Sequence, residues 1–169
     1  DGSNDDTLQI IKWFSDNCKV EIRLFSNEEQ LGYVKNFEKA VKLCKHDIIF
    51  LSDQDDVWFP NKIETIRNQF IQEDTIGLVY SDALIADRNL VSDGRTVFQT
   101  RCRAKLEHGQ GRDVSEVLCN PNVKGCLIAF RANLKAFFLP IPDNAKELGW
   151  GHDHWFLAIA HAVSTVSVI

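Results

Sequence analysis

Apolar and polar positions follow two periods along the chain, one near three to four residues and one of two. In "TLQIIKWF", Leu8, Ile11 and Phe14 recur at three-residue spacing, which predicts an amphipathic helix with Ser3, Asn4 and Asp5 as candidate caps. "VEIRLFS" alternates Val20, Ile22 and Leu24 with polar residues and predicts a half-buried strand. "YVKNFEKAVKLCK" returns to helical spacing through Val34, Phe37, Val41 and Cys44. "DIIFLS" is a short apolar run of the kind buried on both faces of a parallel sheet. Pro60 then suits the first turn of a helix over "NKIETIRNQFIQE", where its missing N–H costs nothing.

The second half reads in the same way. "IGLVYSDALIAD" predicts a strand that runs on towards an edge strand. From Asp87 to about Gly111 the chain is polar and Arg-rich, which predicts a long loop over the sheet. "VSEVLCN" predicts a short helix, "VKGCLIAF" a strand, and "RANLKAFF" a short helix ended by Pro140 and Pro142. "HDHWFLAIAHAV" is a final helix. Helix and strand in alternation imply an α/β fold with a mainly parallel sheet flanked by helices. With no repeat, low-complexity tract or linker, residues 1–169 read as a single domain. The chain opens on a loop-like "DGSNDDT" and closes on "VSTVSVI", a β-branched run like a strand just begun, so an excerpt of a larger protein is expected.

Composition narrows the class. Apolar content of 44% and charged content of 25% are ordinary for a soluble globular domain. A formal charge of -5 argues against non-specific nucleic-acid binding. No apolar run approaches the roughly 20 residues of a membrane span. The five cysteines form no CxxC pair and are odd in number, which suits a reducing cytosol better than a disulfide framework.

The candidate chemistry lies where "DIIFLS" gives way to "DQDDVWFPNK". Asp53, Asp55 and Asp56 crowd the end of a buried strand with no basic neighbour in the run before Lys62. Like charges so close cost free energy unless a cation offsets them. Ligands sit at the carboxyl ends of strands in open parallel sheets. Asp53 and Asp55, as alternate residues of an extended segment, can face one side and offer oxygen to a hard divalent cation. A solvated acidic turn is the plainer alternative.

The ordered set of "DGSNDDT", then Asn27, Gly32 and Asn36, then "FLSDQDDVWFPNKI", "VKGCLIAF" and a late "HDHW" resembles family 2 glycosyltransferases of the GT-A (Rossmann-like) fold. It is most similar to their bacterial rhamnosyltransferase-like branch, and the similarity covers nearly the whole chain. The resemblance implies that the family's first strand would precede residue 1. It implies that Asp1 contacts the nucleotide base, that Asp53 lies near the ribose and the metal, and that Asp55 is the main ligand of Mg²⁺ or Mn²⁺. Asp56 is expected to order the loop. Gly125 is expected near the donor and acceptor sugars, where a missing side chain permits close approach.

Asp153 matches the catalytic base of an inverting transfer, and capping of the last helix is an alternative role for the same carboxylate. Trp58 lines the site or anchors the loop by packing. Lys62 counters phosphate charge or stands in solvent. His152 and His154 flank Asp153, but neighbours on a helix diverge by about 100°, which disfavours a shared ligand. His46, His108 and His161 read as surface or core residues.

The resemblance implies a nucleotide-sugar donor, UDP- or dTDP-linked, and a saccharide or lipid-linked saccharide acceptor of a cell-surface polysaccharide. Location is expected to be cytoplasmic, with association of a parent protein with the inner face of the plasma membrane left open. Two other functions fit an aspartate cluster. One is a metal-dependent nucleotidyltransferase or phosphohydrolase, for which Asp82 is the other acidic candidate at a strand end. The other is a truncated, inactive nucleotide-sugar-binding domain.

Overall fold

Apolar runs that alternate with amphipathic ones fold into a sheet with helices on both faces. The computed structural model describes residues 1–101, 124–147 and 149–169. In chain order these form α1 (Thr7–Asn17), α2 (Tyr33–Leu43), β1 (Ile48–Phe50), α3 (Lys62–Gln72), β2 (Ile76–Tyr80), β3 (Leu84–Ala86), β4 (Ser92–Thr96) and α4 (Val97–Arg101). After residue 124 come a 3-10 turn (Gly125–Leu127), β5 (Ile128–Arg131), a second 3-10 turn (Ala132–Leu134), α5 (Lys135–Phe138), α6 (His152–Val163) and β6 (Thr165–Val168).

The main sheet has the order β1-β5-β2-β6. β2 and β6 pair parallel, whereas β5 pairs antiparallel with both β1 and β2. Three strands therefore share one direction and β5 alone runs against them. The mainly parallel sheet expected from the sequence is corrected to a mixed one, in which β5 separates β1 from β2. This inversion decides the site, because the start of β5 lies beside the carboxyl ends of its neighbours.

Side chains alternate across the sheet, as the pleat requires. Leu78, Tyr80, Ile128 and Phe130 face a core shared with α2, α5 and α6. Val79 and Ala129 face the other way, towards Ile66 and Phe70 of α3. Phe138 and Phe156 stack at 4.7 Å, and Phe130 meets Phe138 edge-on at 5.0 Å. Full burial of one such side chain contributes about 1.5–3 kcal/mol. Register shifts between Ile76 and Leu78 on the β6 side. Gly77 lies there because a Cβ would collide with the Ser164 hydroxyl.

At the edge of the sheet remote from the carboxyl ends, Arg131 donates to the carbonyls of Ile76 (2.8 Å) and Phe70 (2.6 Å). It thereby ties the end of β5 to the end of α3 and the start of β2.

Several sequence expectations change. Residues 20–26 form no strand, because alternation supplies a face and not a pairing partner. The first part of the expected 87–111 loop is β4, which pairs antiparallel with β3, followed by α4. The rest of that loop and the helix expected over 114–120 lie outside the described residues. The strand expected over 123–130 begins instead as a 3-10 turn and is extended only from Ile128. Pro60 precedes α3, whose N-cap is Asn61. α1 forms where expected, yet none of its residues is buried and Phe14 is exposed. Its N-cap is Asp6, and Asp5 accepts from the Thr7 amide at 3.1 Å.

Candidate active site

Three carboxyl ends (β1, β2 and β6) and one amino end (β5) share an edge of the sheet. Backbone bonds close this edge: Leu51 donates to the Ile128 carbonyl at 3.1 Å, Ser81 to Leu127 at 3.0 Å, and Asp82 to Ile169 at 2.9 Å. The loop after β1 carries Asp53 to Asp56, and the turn before β5 carries Gly125 and Cys126. Donor atoms of Asp53, Asp56 and Cys126 all lie within 4.8 Å of one another. Asp55 is exposed in the same loop and adds its charge to Asp53.

Electrostatics at this corner are unfavourable without a cation. Burial, then repulsion from Asp56 and Asp55, holds the Asp53 carboxyl above the ordinary carboxylate range, and Asp153 adds to the repulsion. Asp153, 100 residues away in sequence, is thus near enough for its charge to be felt at Asp53. The buried Cys126 thiol is pushed up to about 12, first by burial and then by Asp56 and Asp53. Lys62 reaches in from α3. Its ammonium donates to the Cys126 carbonyl at 2.7 Å and lies 4.5 Å from the centre of the Trp58 ring. Burial pulls its pKa down against the attraction of Asp56. Lys62 is thus an internal contact of the turn, not a solvated lysine. Trp58 is the surface it packs on.

On the opposite flank, Gly151 caps α6 and Asp153 occupies its first turn. Asp153 Oδ1 accepts from the His154 amide at 2.9 Å. The carboxylate is consequently not the N-cap residue. Gly125 is buried beneath this turn: a Cβ built on it would stand 2.7 Å from His152 Nε2 and 3.8 Å from the Asp153 Cβ. The space left by the missing side chain is filled by an imidazole.

Asp1 organises a third wall. Its Oδ1 accepts from Asn27 Nδ2 and the Leu31 amide, and its Oδ2 from the Gly32 amide, all at 2.8 Å. Asn27 also donates to Asn36 Oδ1 at 2.8 Å and accepts from Lys39 at 2.6 Å. Asp1, Asn27, Gly32 and Asn36 thus form one clamp at the start of α2. The clamp leads directly to Tyr33, whose ring meets His152 edge-on at 6.1 Å.

A cleft of about 630 Å³ opens beside the acidic loop, between Asp55, Trp58 and Lys62 on one side and Asp82, Leu84 and Leu90 on the other. Asp1, Asp53, Gly125 and Asp153 do not line it. Asp82 Oδ1 accepts from the amides of Ala83 (2.8 Å) and Phe98 (3.0 Å), so its role is to fasten the β3–β4 hairpin and α4 to the end of β2.

The structure therefore brings Asp53 and Gly125 to one corner, with Asp55 exposed in the same loop and Asp153 beside Gly125, and holds Asp1 in the adjoining loop. Neither Cys126 nor the approach of the exposed Asp56 to it was expected from the sequence. The only signal for Cys126 was its place at the start of the apolar "CLIAF" run, which points to the site only if that strand is antiparallel. The donor set suits a hard divalent cation, since carboxylate oxygens supply most of it.

Comparisons with known proteins bear on the family and the fold. The chain is 31% identical over 97 residues to the chondroitin synthase of Escherichia coli, covering 56% of this chain and 14% of that one. Its structure resembles the crystal structure of S. aureus TarS 1-349 with a TM-score of 0.68 at 18% identity, over 100% of this chain and 46% of that chain. That likeness shows the fold, an α/β sheet of the GT-A kind with helices on both faces. Among the described residues, no helix is long and apolar enough to cross a membrane. Residues 1–110 match Glycosyl transferase family 2, and the chain belongs to that family.

Proposed function

We propose that the chain is the donor-binding and catalytic part of an inverting glycosyltransferase that uses a UDP- or dTDP-linked sugar. The acceptor is a hydroxyl of a saccharide or lipid-linked saccharide in the synthesis of a surface polysaccharide. The observation that carries this reading is the packing of Gly125, the neighbour of Cys126 in the acidic cluster, against the first turn of α6, where a Cβ on Gly125 would stand 3.8 Å from the Asp153 Cβ. Family membership and the similarity to a chondroitin synthase support sugar transfer into a polysaccharide. The "HDHW" run supports the rhamnosyltransferase-like branch.

In this reading Asp53 and Asp55 hold Mg²⁺ or Mn²⁺, with Asp56 and Cys126 beside them. The ion, when bound, neutralises charge on the leaving nucleoside diphosphate. Asp1 and its clamp form the wall against which the base rests. Asp153 accepts the proton of the acceptor hydroxyl while that oxygen bonds to the anomeric carbon. The bond from that carbon to the diphosphate oxygen breaks in line, and its electron pair leaves with the diphosphate. No covalent enzyme intermediate forms, because no nucleophilic side chain is needed.

Titration calorimetry with UDP and with dTDP, with and without Mn²⁺, tests the binding half. Metal-dependent binding of one nucleotide is expected. Failure of both in Mn²⁺ would overturn it, and turnover of nucleoside triphosphates in place of nucleotide sugars would favour a nucleotidyltransferase.

A further inference from the structure

His152 is the buried polar residue that the proposed reaction leaves without a task. It is 6% exposed. Its ring stacks on Phe37 at 3.9 Å with the planes 8° apart, and meets Tyr33 and Phe156 edge-on at 6.1 and 6.0 Å. Neither ring nitrogen has a hydrogen-bond partner among the described residues. An unsatisfied buried polar group costs free energy, so a phenyl or aliphatic side chain would be the cheaper way to fill this space. What the imidazole has is shape: a flat five-membered ring that fits between Phe37 and a glycine.

That glycine is Gly125. Its φ is not in the left-handed region, so backbone conformation does not demand glycine here. Space does, because the added Cβ would stand 2.7 Å from His152 Nε2. Real Cβ atoms do not approach so closely, so the imidazole, packed against three aromatic rings, would have to shift and disturb that packing. Gly125 is followed by Cys126, which touches the acidic corner, and His152 is followed by Asp153. The glycine–imidazole contact is therefore the mechanical joint between the acidic corner and the carboxylate of α6.

We infer that His152 is a positioning residue, seated by Gly125, that fixes the first turn of α6 and with it the distance from Asp153 to the acidic corner. The inference rests on the proposed role of Asp153. Its consequence is a specific non-additivity. Gly125→Ala forces the ring aside and carries Asp153 with it. Misplacement of a catalytic group by about 1 Å can lower the rate about 10²-fold. His152→Ala frees the turn and lowers the rate in the same way. In the double variant the alanine methyl occupies space that the ring has vacated, so Gly125→Ala costs nothing further.

The test is kcat and donor affinity measured for the two single variants and the double variant. A fall of about 10²-fold in kcat is expected for each single variant, with donor affinity within about threefold of the parent and the double variant no worse than His152→Ala. Multiplying losses would overturn the inference. So would a loss of donor affinity in Gly125→Ala, which would place the glycine against the donor. If Gly125→Ala does not fold, Phe37→Leu removes the stacking partner without a clash, and an unchanged kcat in that variant also overturns it. If the parent transfers no sugar, the proposed function fails separately. The carboxyl carbon resonance of Asp153 still reports the joint: it should move in Gly125→Ala, whereas in the double variant it should match His152→Ala.

Discussion

The two flanks of the site are built on opposite terms. The acidic loop after β1 is mostly exposed, and its charges repel one another. The first turn of α6 is packed into aromatic rings, and its one carboxylate is held by a backbone amide. A loop of the first kind gains free energy when a cation arrives. A turn of the second kind has little to gain from a ligand and much to lose from displacement. The difference separates a group that waits for charge from one that must hold position, although both are aspartates at one sheet edge.

Substitutions can break this contrast, and the largest effect is expected on the packed flank. Asp153→Asn keeps the shape and the acceptor oxygen for the His154 amide, but it cannot take a proton. kcat should fall roughly 10²–10⁴-fold, with donor affinity unchanged. Near-normal transfer, or a loss of donor affinity instead, would make Asp153 a structural residue. On the exposed flank, Asp55→Asn should weaken Mn²⁺-dependent nucleotide binding by at least the roughly 10–100-fold that loss of an outer-shell partner costs, because a direct ligand is removed. Stability without metal should stay level or rise. If calorimetry shows an unchanged Mn²⁺ requirement, the ligand is not Asp55, and Asp56→Asn, whose oxygen lies nearer Cys126, becomes the decisive variant.

Lys62 tests how far the acidic flank is compensated from within. Lys62→Met keeps the stem on Trp58 but removes the hydrogen bond to the Cys126 carbonyl and the cation over the ring. Chemical denaturation should show a loss of about 1–2 kcal/mol. The smallest effect is that of pH. Asp53 holds its proton more tightly in the folded chain than in the unfolded one, where its pKa is near 3.8. Stability contributed by this group is therefore greatest at acid pH and declines as pH rises through the raised folded value. Solvent screening of a partly exposed carboxylate limits the decline to less than about 1 kcal/mol. The melting temperature of Asp53→Asn minus that of the parent should grow from acid to neutral pH, and Mn²⁺ should reverse the trend. A difference independent of pH would mean that Asp53 is not strained.

The same contrast explains what could be read from the sequence. Helix α6 was legible to the residue, because "HDHWFLAIAHAV" has both a breaker before it and an apolar face. The acidic loop was legible because charge after a buried strand is rare without cause. The α/β class and the family resemblance followed from the order of such segments. The direction of β5 was not legible: an apolar "LIAF" run reads alike in either sense, and only pairing with β1 and β2 orients it. Cys126 was hidden for that reason, and the seat of His152 on Gly125 joins residues 27 apart in sequence. Residues 20–26 show the converse failure, since their alternation is real but no strand among the described residues pairs with it. The edge strand expected within "IGLVYSDALIAD" is β3, but its partner β4 was missed because "SDGRT" carries no apolar alternation at all, and Gly94 within it adopts a φ of 86°.

Arg131 bears on the dynamics of the whole sheet. By stitching α3, β2 and β5 together at the edge remote from the site, it makes that edge the last to open. The site edge is joined by single backbone bonds that run out into loops. Local fraying can therefore begin at the site and stop partway along the strands, without melting the domain. Protection of backbone amides from solvent exchange should accordingly be graded along β2 and β5, lowest at the acidic corner and highest at the guanidinium. The edge that carries the acidic corner can breathe at a free-energy cost well below that of unfolding.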